Sequence, residues 1–179
     1  MKVPGTDQHF HMGATMYCLD GRAGILYGLL LNGRSFKVTH MLLKRTPWAR
    51  GAMAVPLDRI VVPMGEHGVV GITLAELDAM ERVPEAAARL GRDSAVECEG
   101  RLAGVLDCVL VDRQTHGVTH VVVRGGGLLG YDRVVPAEWI GEIRGDRIIL
   151  ATTWATLSTA ERFATHREAA HHVQFELES

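Results

Sequence analysis

The sequence predicts a mainly β protein: two small β-barrels in tandem, each followed by a short helix, related by a pseudo-two-fold axis. The first observation behind this prediction is an internal repeat, because residues 18–82 align with 98–162 at a constant shift of 80 positions without a gap. A fixed period indicates one structural unit used twice. The second observation is a series of short β-type segments separated by close turn signals, which is typical of small barrels.

The two copies share 17 identities over 65 aligned pairs, and most other pairs exchange similar residues. The identical pairs include Cys18/Cys98, Ala23/Ala103, Gly24/Gly104, Leu26/Leu106, Leu30/Leu110, Val38/Val118, Thr39/Thr119, His40/His120, Val55/Val135, Pro56/Pro136, Thr73/Thr153 and Leu77/Leu157. A residue that occurs in both copies is expected to serve the fold. A residue that occurs in one copy is a better candidate for a site.

The length and the charge of the chain limit the classes of function that it can have. The chain has 179 residues and a net charge of −2, which gives no overall attraction to nucleic acid or to an anionic membrane. No apolar run reaches the roughly 18 residues that a membrane helix needs, and residues 1–13 lack the layout of a secretion signal. We therefore expect a soluble, cytoplasmic protein. Each half has about 80 residues, near the size at which a core barely stabilises itself, so the halves are expected to support each other.

The repeat divides the chain into five parts. These are a flexible N-terminal segment (1–13), repeat 1 (14–83), a linker (84–93), repeat 2 (94–162) and a partly helical tail (163–179).

Each repeat begins with a predicted hairpin. The tight-turn signals Asp20-Gly21 and Asn32-Gly33 bound a segment 23–31 that pairs with 36–43. In repeat 2, the Val-rich segments 104–111 and 118–123 pair in the same way.

A second set of elements closes each repeat. The segments 52–56 and 132–136 are predicted strands that end in proline, followed by single helical turns at 57–60 and 137–140. Residues 65–68 are predicted to turn, with strands at 69–72 and 148–151. Thr73 and Glu76 then form a capping box that begins a short helix.

Two further helices are expected outside the repeats. Residues 84–91 are predicted to form a helical linker that ends at Gly91, and residues 162–172 a helical tail.

The order of these signals resembles the PRC-barrel family. A glycine-bearing strand, a Val-Thr-His strand, a Val-Pro pair and a Thr-started helix occur in this order twice, over most of residues 15–160. In numbers of this chain, they are Gly24, Val38-Thr39-His40, Val55-Pro56 and Thr73 to Leu77, then Gly104, Val118-Thr119-His120, Val135-Pro136 and Thr153 to Leu157.

The resemblance implies a binding fold without a shared catalytic centre. Members look like the cytoplasmic part of the photosynthetic reaction-centre H subunit, or like the second domain of the ribosome maturation factor. This chain departs from both, because it lacks the H subunit's transmembrane helix and has a second copy in place of the maturation factor's N-terminal barrel. The fold alone does not give the function.

No catalytic, cofactor or metal site is expected. His40 and His120 could share a metal across the pseudo-two-fold axis, but both belong to the matched strand pattern and are predicted to be structural. The tail histidines His166, His171 and His172 are not expected to bind a metal, because an open tail offers no neighbouring groups to orient their rings. Cys18 and Cys98 are expected to be buried free thiols. Cys108 has no counterpart, because Gly28 occupies the matching position.

The loops after the Val-Thr-His strands differ most between the copies. The predicted partner-binding residues are Lys44, Arg45, Trp48 and Arg50 in the first loop, and Leu128, Leu129 and Tyr131 in the glycine-rich second loop. Tryptophan and arginine are favoured interface anchors, and they also stack on single-stranded RNA. The alternative is a solvated loop with Trp48 folded onto its own barrel.

Three functions stay open. The favoured one is a non-enzymatic accessory or scaffold protein that docks on and stabilises a protein partner or a larger assembly, such as a membrane or ribosomal complex. The alternative is an RNA- or ribosome-associated maturation factor, and the third is an enzyme or metal-binding protein. The sequence leaves open whether the chain is a monomer or a homodimer.

Overall fold

A computed structural model describes residues 7–33, 35–62, 67–84, 88–125 and 131–163. These residues form two sheets of eight strands each, so the mainly β prediction is confirmed. Most strand pairs are antiparallel. Neither sheet closes on itself in the described ranges, and closed barrels therefore stay a prediction.

The elements up to residue 83 begin with a strand that precedes repeat 1. They are β1 (Asp7–His11), β2 (Thr15–Cys18), β3 (Gly21–Leu31), β4 (Val38–Lys44), β5 (Ala52–Pro56), a 3-10 turn (Leu57–Arg59), β6 (Ile60–Val62), β7 (His67–Val70), helix α1 (Leu74–Asp78) and β8 (Arg82–Val83).

The elements that follow recur about 80 positions later in the same order. They are β9 (Leu90–Gly91), β10 (Ala95–Cys98), β11 (Arg101–Asp112), β12 (Val118–Gly125), β13 (Arg133–Pro136), a 3-10 turn (Ala137–Trp139), β14 (Ile140–Arg144), β15 (Arg147–Leu150), helix α2 (Trp154–Ser158) and β16 (Glu161–Arg162). The strand order is also the same, β6-β7-β2-β3-β4-β5-β8 in one sheet and β14-β15-β10-β11-β12-β13-β16 in the other.

The two repeats exchange strands. Each sheet has a long central strand, β3 in one and β11 in the other. One edge of this strand pairs with a short strand of the same repeat, β2 with β3 and β10 with β11, and the short strand covers only the first part of the long one. The rest of that edge is covered from outside the repeat: β1 pairs with β11, and β9 pairs with β3. An uncovered edge would leave backbone hydrogen-bonding groups unpaired. These two strands, β1 and β9, are called the crossover strands below, because each one links the two halves of the molecule.

The tips of the two long hairpins also meet. Lys37 and Gly117 form an antiparallel bridge, while the Val38 amide donates to the His116 carbonyl at 2.8 Å and the Val118 amide donates to the Phe36 carbonyl at 3.0 Å. Phe36 and His116 both have positive φ angles, 53° and 59°. This left-handed conformation is uncommon for residues other than glycine, and here it recurs at matched positions of different residue type.

One apolar core spans both repeats. It contains fully buried side chains from each copy, such as Met41 and Leu43 of β4 and Val121 and Val123 of β12. Phe10 of β1 belongs to the same core and is fully buried. A single shared core fits the expectation that halves of this size depend on each other.

Residues that occur in both copies hold the architecture. A Cβ atom on Gly24 would lie 2.0 Å from the Lys44 carbonyl oxygen, and a Cβ atom on Gly104 would lie 2.2 Å from that of Arg124. Both positions therefore require glycine, because the neighbouring strand passes too close for any side chain.

The matched threonines have a comparable structural role. The Thr39 hydroxyl donates to the Leu30 carbonyl, and the Thr119 hydroxyl to the Leu110 carbonyl, at 3.3 Å in both cases. Each bond lies where the register of the hairpin shifts, so the hydroxyl satisfies a carbonyl at an irregular point of the ladder.

The two helices begin as the sequence predicts. Thr73 and Glu76 form the predicted capping box, and Leu77 is fully buried. An acidic side chain from the preceding hairpin turn accepts a further helix amide in both repeats. The amide of Leu74 donates to Asp20 at 2.8 Å and that of Trp154 to Glu99 at 2.9 Å.

Several expectations differ from the structure. Asp7–His11, expected to be flexible, is strand β1, because the free edge of β11 pairs with it. Leu90–Gly91, expected to end a helical linker, is strand β9 for the same reason on β3. His67 and Gly68 belong to β7 rather than to a turn, and Glu161–Arg162 is a strand. The rest of the predicted tail helix, from residue 164 onward, lies outside the described residues.

Both helices in the described part of the chain have five residues, and none there combines the length and apolar character that crossing a membrane requires. The three cysteines are buried free thiols, as predicted for Cys18 and Cys98.

Candidate functional site

The predicted surface loop after β4 begins with a buried lysine. Lys44 is only 3% exposed, and its Nζ lies 3.8 Å from the centre of the Tyr27 ring. Arg89 approaches the same ring at 5.0 Å, and its Nη2 donates to the Tyr27 hydroxyl at 2.8 Å. The attraction between a cation and an aromatic face offsets part of the cost of burying the ammonium group. Lys44 is therefore a structural residue, and its predicted place on the contact surface was wrong.

Most of the rest of this loop is open to solvent. Trp48 is 82% exposed, and Arg45 and Arg50 are also exposed. The alternative in which Trp48 folds onto its own barrel is therefore wrong. The loop is held in a defined shape, because the Ala49 amide donates to the Thr46 carbonyl at 3.1 Å and Arg45 donates to the Arg22 carbonyl at 3.4 Å.

Tyr131 belongs to the matching loop of the other sheet. The residue is 47% exposed, and the centre of its ring lies 3.6 Å from Arg162 and 5.9 Å from Arg133. Leu128 and Leu129 lie outside the described residues. The predicted contact surface is thus divided between two sheets, with the Trp48 loop on one and Tyr131 on the other.

His40 and His120 lie in matched strands. Each pairs with a matched proline, Pro56 or Pro136, and His40 Nδ1 is 3.0 Å from the hydroxyl of Thr39. Neither joins the group of three metal-capable side chains that the described residues contain.

That group consists of His9, His11 and Cys108, which the sequence reasoning missed. Their ligand atoms all lie within 4.8 Å of one another. His11 is directly opposite Cys108 in the β1–β11 ladder, and His9 is two residues away on the same face of β1, because side chains alternate along a strand. The centres of the two imidazole rings are 6.2 Å apart.

The cysteine of this group is fully buried, whereas both histidines are half-buried. Burial raises the pKa of the Cys108 thiol to about 12, with a smaller contribution from the neighbouring Asp107 carboxylate. The thiol is therefore protonated at neutral pH unless a positive charge approaches it. The one sequence signal for this group was that Cys108 has no counterpart in repeat 1.

Two equivalent clefts lie where the repeats meet. One has a volume of about 280 Å³ and is lined by Leu31, Phe36, Ala88, Arg89, Glu142 and Ile143. The other has about 330 Å³ and is lined by Gln8, Leu57, Asp58, Val61, Arg113 and His116. Both volumes are close to the lower end of the range for small-molecule sites, which is about 300 Å³.

The sequence matches no protein-family model and none of the curated proteins with which it was compared.

Proposed function

We propose that this chain is a non-enzymatic docking protein that binds a protein partner through the exposed loop at residues 45–50. The two sheets would be PRC-barrel-type units that present this loop, an assignment supported by the repeated order of glycine-bearing strand, Val-Thr-His strand, Val-Pro pair and Thr-capped helix. The cytoplasm would be its compartment. The observation that carries the proposal is the 82% exposure of Trp48.

An exposed tryptophan is a strong anchor for a partner. Its side chain can bury about 150–250 Å², and truncating a tryptophan at the centre of an interface typically costs about 2 kcal/mol or more. Arg45 and Arg50 flank the ring, and arginine is the other residue type that is enriched with tryptophan where binding energy concentrates.

The loop is also ordered before binding. The Thr46–Ala49 turn and the bond from Arg45 to Arg22 fix its backbone. A preordered loop loses less conformational entropy on binding than a flexible one, which leaves more of the contact energy for affinity.

The burial of Lys44 favours a protein partner over RNA. It removes one of the three cations that the loop contributes in sequence, and the chain as a whole carries a net charge of −2. Binding to RNA depends on neutralising several phosphates, and two exposed arginines supply little of this. Docking centred on an indole ring depends mainly on apolar contact.

The test is affinity capture from native extract with the wild type, Trp48→Ala and Leu102→Ala. Leu102 is a suitable control because it is 61% exposed and belongs to the other repeat. We expect a specific protein to be captured by the wild type and by Leu102→Ala but lost with Trp48→Ala. Capture that Trp48→Ala leaves undiminished would show that another surface is responsible.

A second arm of the same experiment separates the two kinds of partner. A protein docked on Trp48 should stay bound after nuclease treatment and between about 50 and 200 mM salt. Contacts to several phosphates lose about a thousandfold or more in affinity over this range. Release by nuclease or by salt would support the RNA alternative and contradict the proposal.

A further inference from the structure

The group at β1 and β11 has the composition of a metal site. It combines two imidazoles and one thiol, contributed by two strands whose sequence positions are far apart: His9 and His11 from β1, and Cys108 from β11. We propose that these three side chains bind one Zn²⁺ ion. The proposal is independent of the docking function, because none of the three residues belongs to the Trp48 loop.

The location of Cys108 differs from that of the matched cysteines. Cys18 and Cys98 are members of the shared apolar core, whereas Cys108 is fully buried but belongs to neither described apolar cluster. On β1, Phe10 points into the core while His9 and His11 point the other way. Cys108 therefore lies on the face of the sheet that carries His9 and His11. Apolar packing alone does not account for the burial of its thiol there.

The distances suit zinc after a small movement. Zinc takes nitrogen ligands at about 2.0–2.1 Å and sulfur ligands at about 2.3 Å in tetrahedral geometry, which places the ligand atoms about 3.3–3.6 Å apart. The present limit of 4.8 Å must shorten by about 1 Å. Rotation of the two half-buried imidazole rings can shorten these distances. The backbone of His9 and His11 need not move, and its pairing with β11 holds it in place.

Two imidazoles and a thiolate favour a borderline-soft ion over magnesium or calcium, which prefer oxygen ligands. Three protein ligands leave a fourth tetrahedral position for water or for a group from another molecule. The partial exposure of both histidines gives the ion a route to the site.

Binding releases the proton of the Cys108 thiol, because zinc coordinates the thiolate. The charged and titratable groups around the thiol are His9 and His11 on β1, Asp107 on its own strand, and Arg124 on β12, which pairs with Asp107 at 3.5 Å. Protons compete with zinc for the thiol, so affinity should rise with pH.

The ion would fasten β1 to repeat 2. β1 pairs with β11 over Asp7–His11, and zinc would add bonds from two of these residues to the facing strand. Because an ion that binds only the folded state stabilises it by mass action, zinc should raise the thermal unfolding midpoint of the protein.

The experiment uses the full chain without an affinity tag. The zinc content is measured after equilibrium dialysis, and Co²⁺ replaces Zn²⁺ to reveal a thiolate ligand by its charge-transfer absorption. We expect one zinc per chain and a cobalt–thiolate band. Cys108→Ser and His11→Ala should each lose the band and weaken zinc binding by about a hundredfold or more. Even removing a group that hydrogen-bonds to a metal ligand lowers metal affinity by about ten- to a hundredfold.

Control variants test whether other cysteines or histidines of the chain bind the zinc. Cys98→Ser removes another fully buried free thiol, and His67→Ala removes an exposed histidine; both should keep the zinc. A combined His166→Ala, His171→Ala and His172→Ala variant removes the tail histidines and should keep it too. His9→Asn serves as a milder variant if Cys108→Ser unfolds. Zinc that survives Cys108→Ser in folded protein, or cobalt bound without a thiolate band, would overturn the proposal.

Discussion

The crossover strands β1 and β9 occupy equivalent places, but their side chains differ. Where β9 meets β3, Arg89 and Lys44 stack on Tyr27, and Gly28 faces Gly91 across the ladder. A Cβ atom on Gly28 would lie 2.8 Å from the carbonyl oxygen of Leu90. This junction is therefore closed by a cation–aromatic stack and by close backbone contact.

Where β1 meets β11, the same positions hold other chemistry. Cys108 replaces Gly28, His11 replaces Gly91 and His9 replaces Arg89. The Tyr27–Lys44 contact is replaced by the ion pair between Asp107 and Arg124. Equal backbones with unequal side chains indicate that the duplication fixed the architecture and left individual positions free to acquire a site.

The largest effect should come from the core residue on each crossover strand. Phe10→Ala should cost about 3–5 kcal/mol and its counterpart Leu90→Ala about 2–5 kcal/mol, because both side chains are fully buried. Denaturant unfolding measures both. Leu102→Ala, at an exposed site, should stay within about 0.5 kcal/mol. If Phe10→Ala behaved like Leu102→Ala, β1 would not be docked as the structure has it.

The matched glycines should give the next largest effect, with the larger cost at Gly24, because its φ of 134° adds backbone strain to the steric contact. Gly24→Ala and Gly104→Ala each force a methyl group against a backbone carbonyl, and we expect each to cost about 1–3 kcal/mol or more. Gly33→Ala is the control, since a Cβ there has no atom of the described residues within 4 Å. A large cost at one glycine and none at the other would break the equivalence of the repeats.

The matched threonines differ in their partners, because in the described part of the chain Thr119 is hydrogen-bonded to a crossover strand and Thr39 is not. The single proton of the Thr119 hydroxyl is shared between Asp7 of β1 at 2.6 Å and the Leu110 carbonyl at 3.3 Å, whereas Thr39 is bonded to the Leu30 carbonyl and approached by His40. Thr119→Val should therefore cost about 1 kcal/mol more than Thr39→Val in denaturant unfolding. Equal costs would indicate that the bond to Asp7 contributes nothing.

The smallest effect should come from a matched surface pair. Arg147 donates three bonds to Glu97, at 2.6, 2.7 and 3.1 Å, where repeat 1 has the edge contact between Tyr17 and His67. Glu97→Gln should cost about 0.2–1 kcal/mol, and less at high salt. The effect of His67→Ala should not change with salt, and thermal unfolding at two salt concentrations compares them.

Local patterns predicted the parts of the fold that depend on neighbours in sequence. The hairpins followed from turn signals and β-branched residues, and the helix starts from the Thr73–Glu76 spacing. The buried Cys18 and Cys98 followed from their matched apolar surroundings.

The crossover strands could not be found in this way. The segment Asp7–His11 has one buried apolar residue, Phe10, and its strand state depends on the edge of β11, about a hundred positions away in sequence. Lys44 was misplaced for a similar reason, because the Tyr27 ring that covers it belongs to another strand. The group at His9, His11 and Cys108 combines both difficulties, since its members meet only after the strands have exchanged.

The most direct test of this account is a zinc titration of the isotope-labelled chain followed by backbone amide chemical shifts, because one molecule contains both junctions. We expect the shifts to concentrate at residues 9–11 and 107–109, where β1 meets β11. The equivalent residues 27–29 and 89–91 should not move. Equal shifts at both junctions, or none at the first, would contradict the claim that matched backbones here carry unmatched chemistry.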